Sequence, residues 1–294
     1  MVVRFCWCVR FLGKASSGLK KLESMRFRNE QPGEYRQGAA TDFRSRRSSM
    51  SLLYVFAASA IEGEPVRRMA SATDSNSILR CGVNDVVLIT TGMGPRNAKD
   101  HVAAALNGSP SALLARRPDA VLVIGLCGGL TDSLSEGRVV AYTGCGFTDG
   151  VRPILSCSDT IMDSVTACLS ASGIACDRVT GITSPRIATT PAEKLALAKQ
   201  GADVVDMESY VILEAAANAG VPAAVLRVVA DSRARVLPDL NRALNEHGGL
   251  DGRKALLVAL GSPLRTARLI AANRRAMRAL TKALEIVVKA PCFA

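Results

Sequence analysis

From Ser51 onward, short runs of branched apolar residues alternate with longer stretches of helical spacing. Leu52–Ala58, Val86–Thr91, Ala120–Gly125, Arg138–Thr143, Ile154–Ser156, Val179–Thr183, Val204–Asp206 and Ala223–Val229 read as strands. Between them, 63–69, 98–106, 161–172, 191–200 and 209–219 read as helices. Thr190 stands as the cap of the fourth and Gly220 as the stop of the fifth. From about Pro238 the pattern turns all-helical. Near the end, Ile270, Met277, Leu280, Leu284 and Val287 share one face, and Arg268, Arg275, Arg278 and Lys282 lie opposite at ~100° per residue. This alternation predicts one α/β domain in three layers, a central mixed sheet flanked by helices, with a helical C-terminal extension. No internal repeat is visible.

Residues 1–50 break the pattern. They are rich in Arg, Ser, Gly and Gln, show no periodicity, and are expected to have little order. Two readings stay open for them: a targeting peptide, or upstream codons ahead of a true start at Met50. They also distort the charge. The chain carries +11, but 1–50 hold 11 Lys/Arg against 4 Asp/Glu, so only +4 remains for the rest. The folded part is mildly basic, and nucleic-acid binding does not follow. Apolar residues make up 48% of the chain, yet no uninterrupted run reaches the about 18–20 residues that span a bilayer. The nine cysteines are odd in number and form no CxxC pair, and His101 and His247 are isolated. Reduced thiols in a cytoplasmic protein are expected, with neither a metal site nor a cofactor.

The candidate chemistry lies between Val204 and Ser232. Asp206-Met207-Glu208 ends one strand, and Ala230-Asp231 ends another, with one helix between them. Carboxylates at strand ends of an α/β sheet stand where ligands bind, and one buried there needs a partner or a task. Met207-Glu208 and Ala230-Asp231, in this order and spacing, resemble the nucleoside phosphorylase and nucleosidase superfamily. The likeness extends from about Leu52 to about Pro238.

That resemblance implies cleavage of the N-glycosidic bond of a nucleoside. Asp231 would hydrogen-bond the purine and supply or share a proton. Glu208 would accept both ribose hydroxyls and favour an oxocarbenium. Met207 would lie along the sugar, and Asp206 stands where nucleosidases usually carry Glu. Ala60-Ile61-Glu62-Gly63-Glu64 resembles the element whose Glu activates water. Glu64 fits the register of a small residue followed four positions later by Glu, and Glu62 is the competing choice. Cys127-Gly128-Gly129 would lie against the nucleoside, and Thr183-Ser184 would join the purine pocket. Gly92-Met93-Gly94 and Gly125–Gly129 lack the dinucleotide-binding spacing, so a nicotinamide oxidoreductase is not expected. Gly63-Glu64-Pro65-Val66-Arg67 superficially resembles a phosphate loop, so phosphorolysis with inorganic phosphate remains the alternative to hydrolysis.

The tail, with Val236-Leu237-Pro238, Leu250-Asp251-Gly252-Arg253, Ser262-Pro263 and the basic helix, and the upstream Pro191-Ala192-Glu193-Lys194-Leu195-Ala196-Leu197 are similar to the hopanoid-associated branch, which implies adenine release from adenosylhopane. The methylthioadenosine/S-adenosylhomocysteine nucleosidases are the nearest rival. The resemblance also implies a homo-oligomer. The basic helix at 264–288 has two readings: a terminal helix packed on the domain, or a peripheral contact with an anionic membrane surface.

Overall fold

The computed structural model describes residues 51–73, 78–106, 117–245 and 251–293. The expectations for residues 1–50 and His247 lie outside them. Among the described residues, ten strands form one sheet: β1 (Ser51–Ala57), β2 (Ala72–Thr73), β3 (Leu79–Cys81), β4 (Asn84–Thr90), β5 (Ala120–Gly129), β6 (Val139–Phe147), β7 (Leu155–Ser156), β8 (Cys176–Thr183), β9 (Val204–Asp206) and β10 (Ala223–Asp231). Among the described residues, seven α-helices accompany them: α1 (Ala60–Met69), α2 (Pro95–Leu106), α3 (Asp159–Ala171), α4 (Pro191–Ala198), α5 (Ser209–Asn218), α6 (Gly252–Gly261) and α7 (Pro263–Val287).

The apolar runs are continuous because the central strands are covered on both faces. Every residue of β1 and β10 is buried. Strands β4, β1, β5 and β10 run parallel in that order, so their C-terminal ends share one edge. From β10 the sheet turns through antiparallel β6 to β8 and β9. β9 then returns antiparallel onto the end of β5. The path β5–β10–β6–β8–β9 therefore closes on itself. β1, β4, β3 and β2 extend from β5 as an open wing.

Closure depends on β5 being long. Sequence periodicity ends it at Gly125, but the strand continues to Gly129 because β9 and β10 supply hydrogen-bonding edges there. Gly128 and Gly129 thus belong to the sheet. The hairpin of β2 and β3 is too short to register as a pattern.

Helix α2 packs against α5 on one face, while α1 and α3 pack against α7 on the other. The apolar side of α7 is spent on the domain: Ala272, Ala276, Leu280, Leu284 and Val287 are fully buried. Arg268, Arg275, Arg278 and Lys282 are exposed, as the helical periodicity predicts. This half of the 264–288 helix is therefore a packed terminal helix, with no free apolar face for a membrane. Among the described residues, no single helix is long and apolar enough to cross one.

Candidate active site

The shared C-terminal edge of the parallel strands gathers side chains from five segments. The first group forms at the level of Gly125. Arg227 projects from the middle of buried β10 and pairs in register with Gly125 of β5. It is 1% exposed. Its Nη2 donates to Ser209 Oγ at 3.0 Å and lies 3.4 Å from Glu208 Oε2. Nη1 donates to the Leu126 carbonyl at 3.1 Å, and Nε faces Asp206 Oδ2 at 3.5 Å. Glu208 precedes α5, and its Oε1 accepts the Gly94 N–H at 2.9 Å.

Glu62 enters the group from α1. Its Oε2 accepts from the Ser59 N–H and hydroxyl, both at 3.0 Å, forming the capping box of that helix. A cap accounts for one oxygen. The other, Oε1, reaches across the sheet edge and accepts the Leu126 N–H at 3.0 Å. Gly125 makes this approach possible. It has φ +144°, and a Cβ there would stand 2.6 Å from Glu62 Oε1 and 2.9 Å from Arg227 Nη1. Only glycine admits both groups.

The second group lies three residues along β5, ~10 Å away at strand rise. Asp231 ends β10 opposite Gly128. Its Oδ2 forms an ion pair with Lys194, whose Nζ also donates to the Ser232 carbonyl at 2.7 Å. The Lys194 side chain has no exposed surface. Helix α4 aims it inward, fixed by a capping box in which Thr190 and Glu193 satisfy each other's backbone N–H groups. Asp231 Oδ1 has no hydrogen-bond donor among the described residues.

Electrostatics differ between the groups. Burial raises the Glu208 carboxyl; Arg227 opposes this, and the charges of Asp206 and Glu62 add to it, leaving it at about 7. Burial also raises Asp206, but Arg227 and hydrogen bonds from Ser209 and Thr183 outweigh it and hold the group below its ordinary value. Burial is the largest influence on Asp231 as well, and its carboxyl stays raised although Lys194 pulls it down.

A model of the phosphorylase superfamily matches residues 56–247, a span that contains both groups. The chain belongs to the phosphorylase superfamily. Solved structures share the fold at low identity. The 5′-methylthioadenosine/S-adenosylhomocysteine nucleosidase of Neisseria meningitidis, in complex with methylthio-immucillin-A, is 17% identical with a TM-score of 0.62, covering 82% of this chain and 99% of its own. Futalosine hydrolase of Helicobacter pylori is 12% identical with a TM-score of 0.61, covering 81% and 97%. A D→N mutant of the Helicobacter pylori methylthioadenosine/S-adenosylhomocysteine nucleosidase, with 5′-methylthioadenosine in the active site, is 12% identical with a TM-score of 0.56, covering 80% and 98%. Comparison with curated protein sequences gave no match. The family and fold are those of enzymes that cleave glycosidic bonds.

Within this superfamily fold, the residues singled out in the sequence separate into three sets. Glu208 and Asp231 stand at the two groups just described, with Gly128 in register with Asp231. Cys127 lies between the levels on β5 and feels the charges of Arg227, Asp206 and Asp231; burial raises its thiol and keeps it neutral. Asp206, Thr183 and Ser184 instead bond to the protein. Asp206 Oδ1 accepts from Thr183 Oγ1 at 2.8 Å and from the Glu208 and Ser209 N–H groups; Oδ2 accepts from Tyr142 at 3.0 Å. Ser184 donates to the Arg186 carbonyl. These contacts fix the segment that presents Met207 and Glu208, and Met207 itself is buried. Gly129 is paired with Val204 at the end of the strand.

Glu64 is the exception. It lies two residues beyond Glu62 on α1, which turns it away from β5. Its carboxylate is 43% exposed and pairs with Arg68 at 3.0 Å. Counting the small-residue-plus-four pattern from Ala58, not from Ala60, lands on Glu62. Sequence reasoning also missed Arg227 and the role of Lys194. A signal existed for Arg227: a single charge inside the run Ala223–Ala230 is rare in a buried strand and demands buried partners. Lys194 gave none, because a Lys after a capping box ordinarily faces solvent.

Proposed function

We propose that the chain is a purine nucleosidase that hydrolyses the N-glycosidic bond of a 5′-substituted adenosine and releases adenine. The supporting observation is the pairing of an acidic group at Gly125 with an ion-paired carboxylate one nucleoside length away at Gly128. In this reading Glu62 activates the water, held by its Leu126 and Ser59 contacts. Glu208 accepts the ribose 2′- and 3′-hydroxyls and stabilises positive charge on the sugar. Arg227 positions Glu208 and limits the mutual repulsion of the acids. Asp231 hydrogen-bonds the leaving base through Oδ1, with Lys194 setting its charge. Asp206, Thr183 and Ser184 act as the support of this site.

Hydrolysis is favoured over phosphorolysis by charge. A phosphate dianion arriving at Gly125 would meet Glu62 and Glu208, while Arg227 already serves Glu208 and Asp206. Arg67 and Arg68 lie on the exposed last turn of α1. The finer reading, adenosylhopane as substrate, rests on the resemblance of the tail; methylthioadenosine and S-adenosylhomocysteine are the rivals. The proposal includes a cytoplasmic homo-oligomer, which light scattering measures. Adenine release from 5′-methylthioadenosine, S-adenosylhomocysteine and adenosylhopane, each with and without phosphate, tests the function. Release independent of phosphate is expected. Phosphate-dependent release with formation of a ribose 1-phosphate product would replace hydrolysis by phosphorolysis.

A further inference from the structure

Helices α6 and α7 meet at Ser262 at 116°. Around this elbow three leucines face solvent: Leu257 at 69%, Leu260 at 59% and Leu264 at 74% exposed. The packed half of α7 does not reach them, since burial on the core begins at Ala272. From Gly252 to Leu284 the chain carries eight Arg/Lys and no Asp/Glu. All eight are exposed. Of those nearest the leucines, Arg265 and Arg268 make no ion pair among the described residues, and Arg253 and Lys254 feel only the charge of Asp251 at the start of α6. Beside the elbow, a groove of about 550 Å³ is lined by Ser232, Ala234, Arg235, Val236, Arg265 and Arg268.

We propose that this elbow docks on an anionic lipid bilayer. Leucines at a helix bend can enter the boundary between headgroups and acyl chains, while flanking Arg and Lys bind lipid phosphates. The charge selects the occupant. A second copy meeting this surface about a two-fold axis would set Arg265 and Arg268 against their own copies. A neutral apolar partner would leave them unused. The proposal concerns the face of α6 and α7 opposite the core, and so differs from a contact along the whole of 264–288. It is independent of the nucleoside cleaved.

The test is sedimentation of the full chain with vesicles of phosphatidylcholine alone, or of equal parts phosphatidylcholine and phosphatidylglycerol. The same assay is run on a Leu257→Ser/Leu260→Ser/Leu264→Ser variant and on an Arg265→Glu/Arg268→Glu variant. These side chains are on the surface, so melting temperature and adenine release from a water-soluble nucleoside should match the parent. Binding to the anionic vesicles is expected, with partitioning lower by roughly tenfold or more in each variant. The basic segment 1–50 is common to all three proteins and cannot create that difference. Equal binding to both vesicles, no binding, or unchanged binding of the leucine variant overturns the proposal. So does a fall in the oligomeric mass of that variant by light scattering, which would make the elbow an interface between copies.

Discussion

The two ends of the proposed site are built on opposite electrostatic terms. At Gly125, one guanidinium serves two carboxylates directly, Asp206 and Glu208, and a third, Glu62, meets it at the Gly125 backbone. Negative charge is in excess there, and Glu208 absorbs the strain by holding its proton up to about pH 7. At Gly128, one carboxylate faces one ammonium, and the pair is balanced. The difference suits the two halves of a glycosidic cleavage. An acidic end stabilises a sugar that turns cationic, and a balanced pair can adjust to a base that leaves with a proton. The same sheet edge supplies both because parallel β10 carries Arg227 to one level of β5 and Asp231 to the other.

Removing the shared cation should break the comparison most strongly. Arg227→Met leaves Asp206 and Glu208 buried without it, and a stability loss of about 3–5 kcal/mol is expected by denaturant unfolding. Turnover should vanish with it.

The next effect is on pH. Glu208 is raised in the folded protein, so the folded state binds its proton more tightly than the unfolded chain does. Its contribution therefore favours folding at low pH and is lost as pH rises from its ordinary value towards about 7. Glu208→Gln should cancel that decline, gaining on the order of 3 kcal/mol relative to the parent at mildly alkaline pH. Catalysis needs the ionised form. The parent's kcat/KM should therefore climb with pH through about 7 and level off above it, and a flat acid limb would contradict the assignment.

A smaller change is expected at the balanced end. Lys194→Met removes what lowers Asp231, so the kinetic limb that belongs to Asp231 should move to higher pH while the Glu208 limb stays in place. A purely structural lysine would depress activity equally at every pH. Glu64→Gln should do least: its exposed pair with Arg68 contributes under about 1 kcal/mol, and turnover should stay within about twofold of the parent.

Much of this was legible before the structure, and the gaps have physical causes. The alternation of strands and helices reads directly because buried parallel strands are continuously apolar. Glu208 and Asp231 were marked by standing where such runs end. The continuation of β5 past Gly125 was hidden, because glycines carry no hydrophobic signal and the pairing that extends the strand comes from β9 and β10. Glu62 and Glu64 differ by two residues, a distinction set by which face of α1 meets β5. Thr183 bonds to Asp206, and Asp206 also accepts from Tyr142. That network requires Gly181, where a Cβ would stand 2.1 Å from the Tyr142 ring. Such contacts join residues far apart in sequence and leave no periodic trace.

The most direct measurement is the rate of adenine release from a 5′-substituted adenosine in phosphate-free buffer, for the parent, Glu62→Gln and Asp231→Asn. The account predicts that each substitution slows turnover by about 10²–10⁴-fold, with the fold and substrate binding retained. Parent-like turnover in either variant would contradict it.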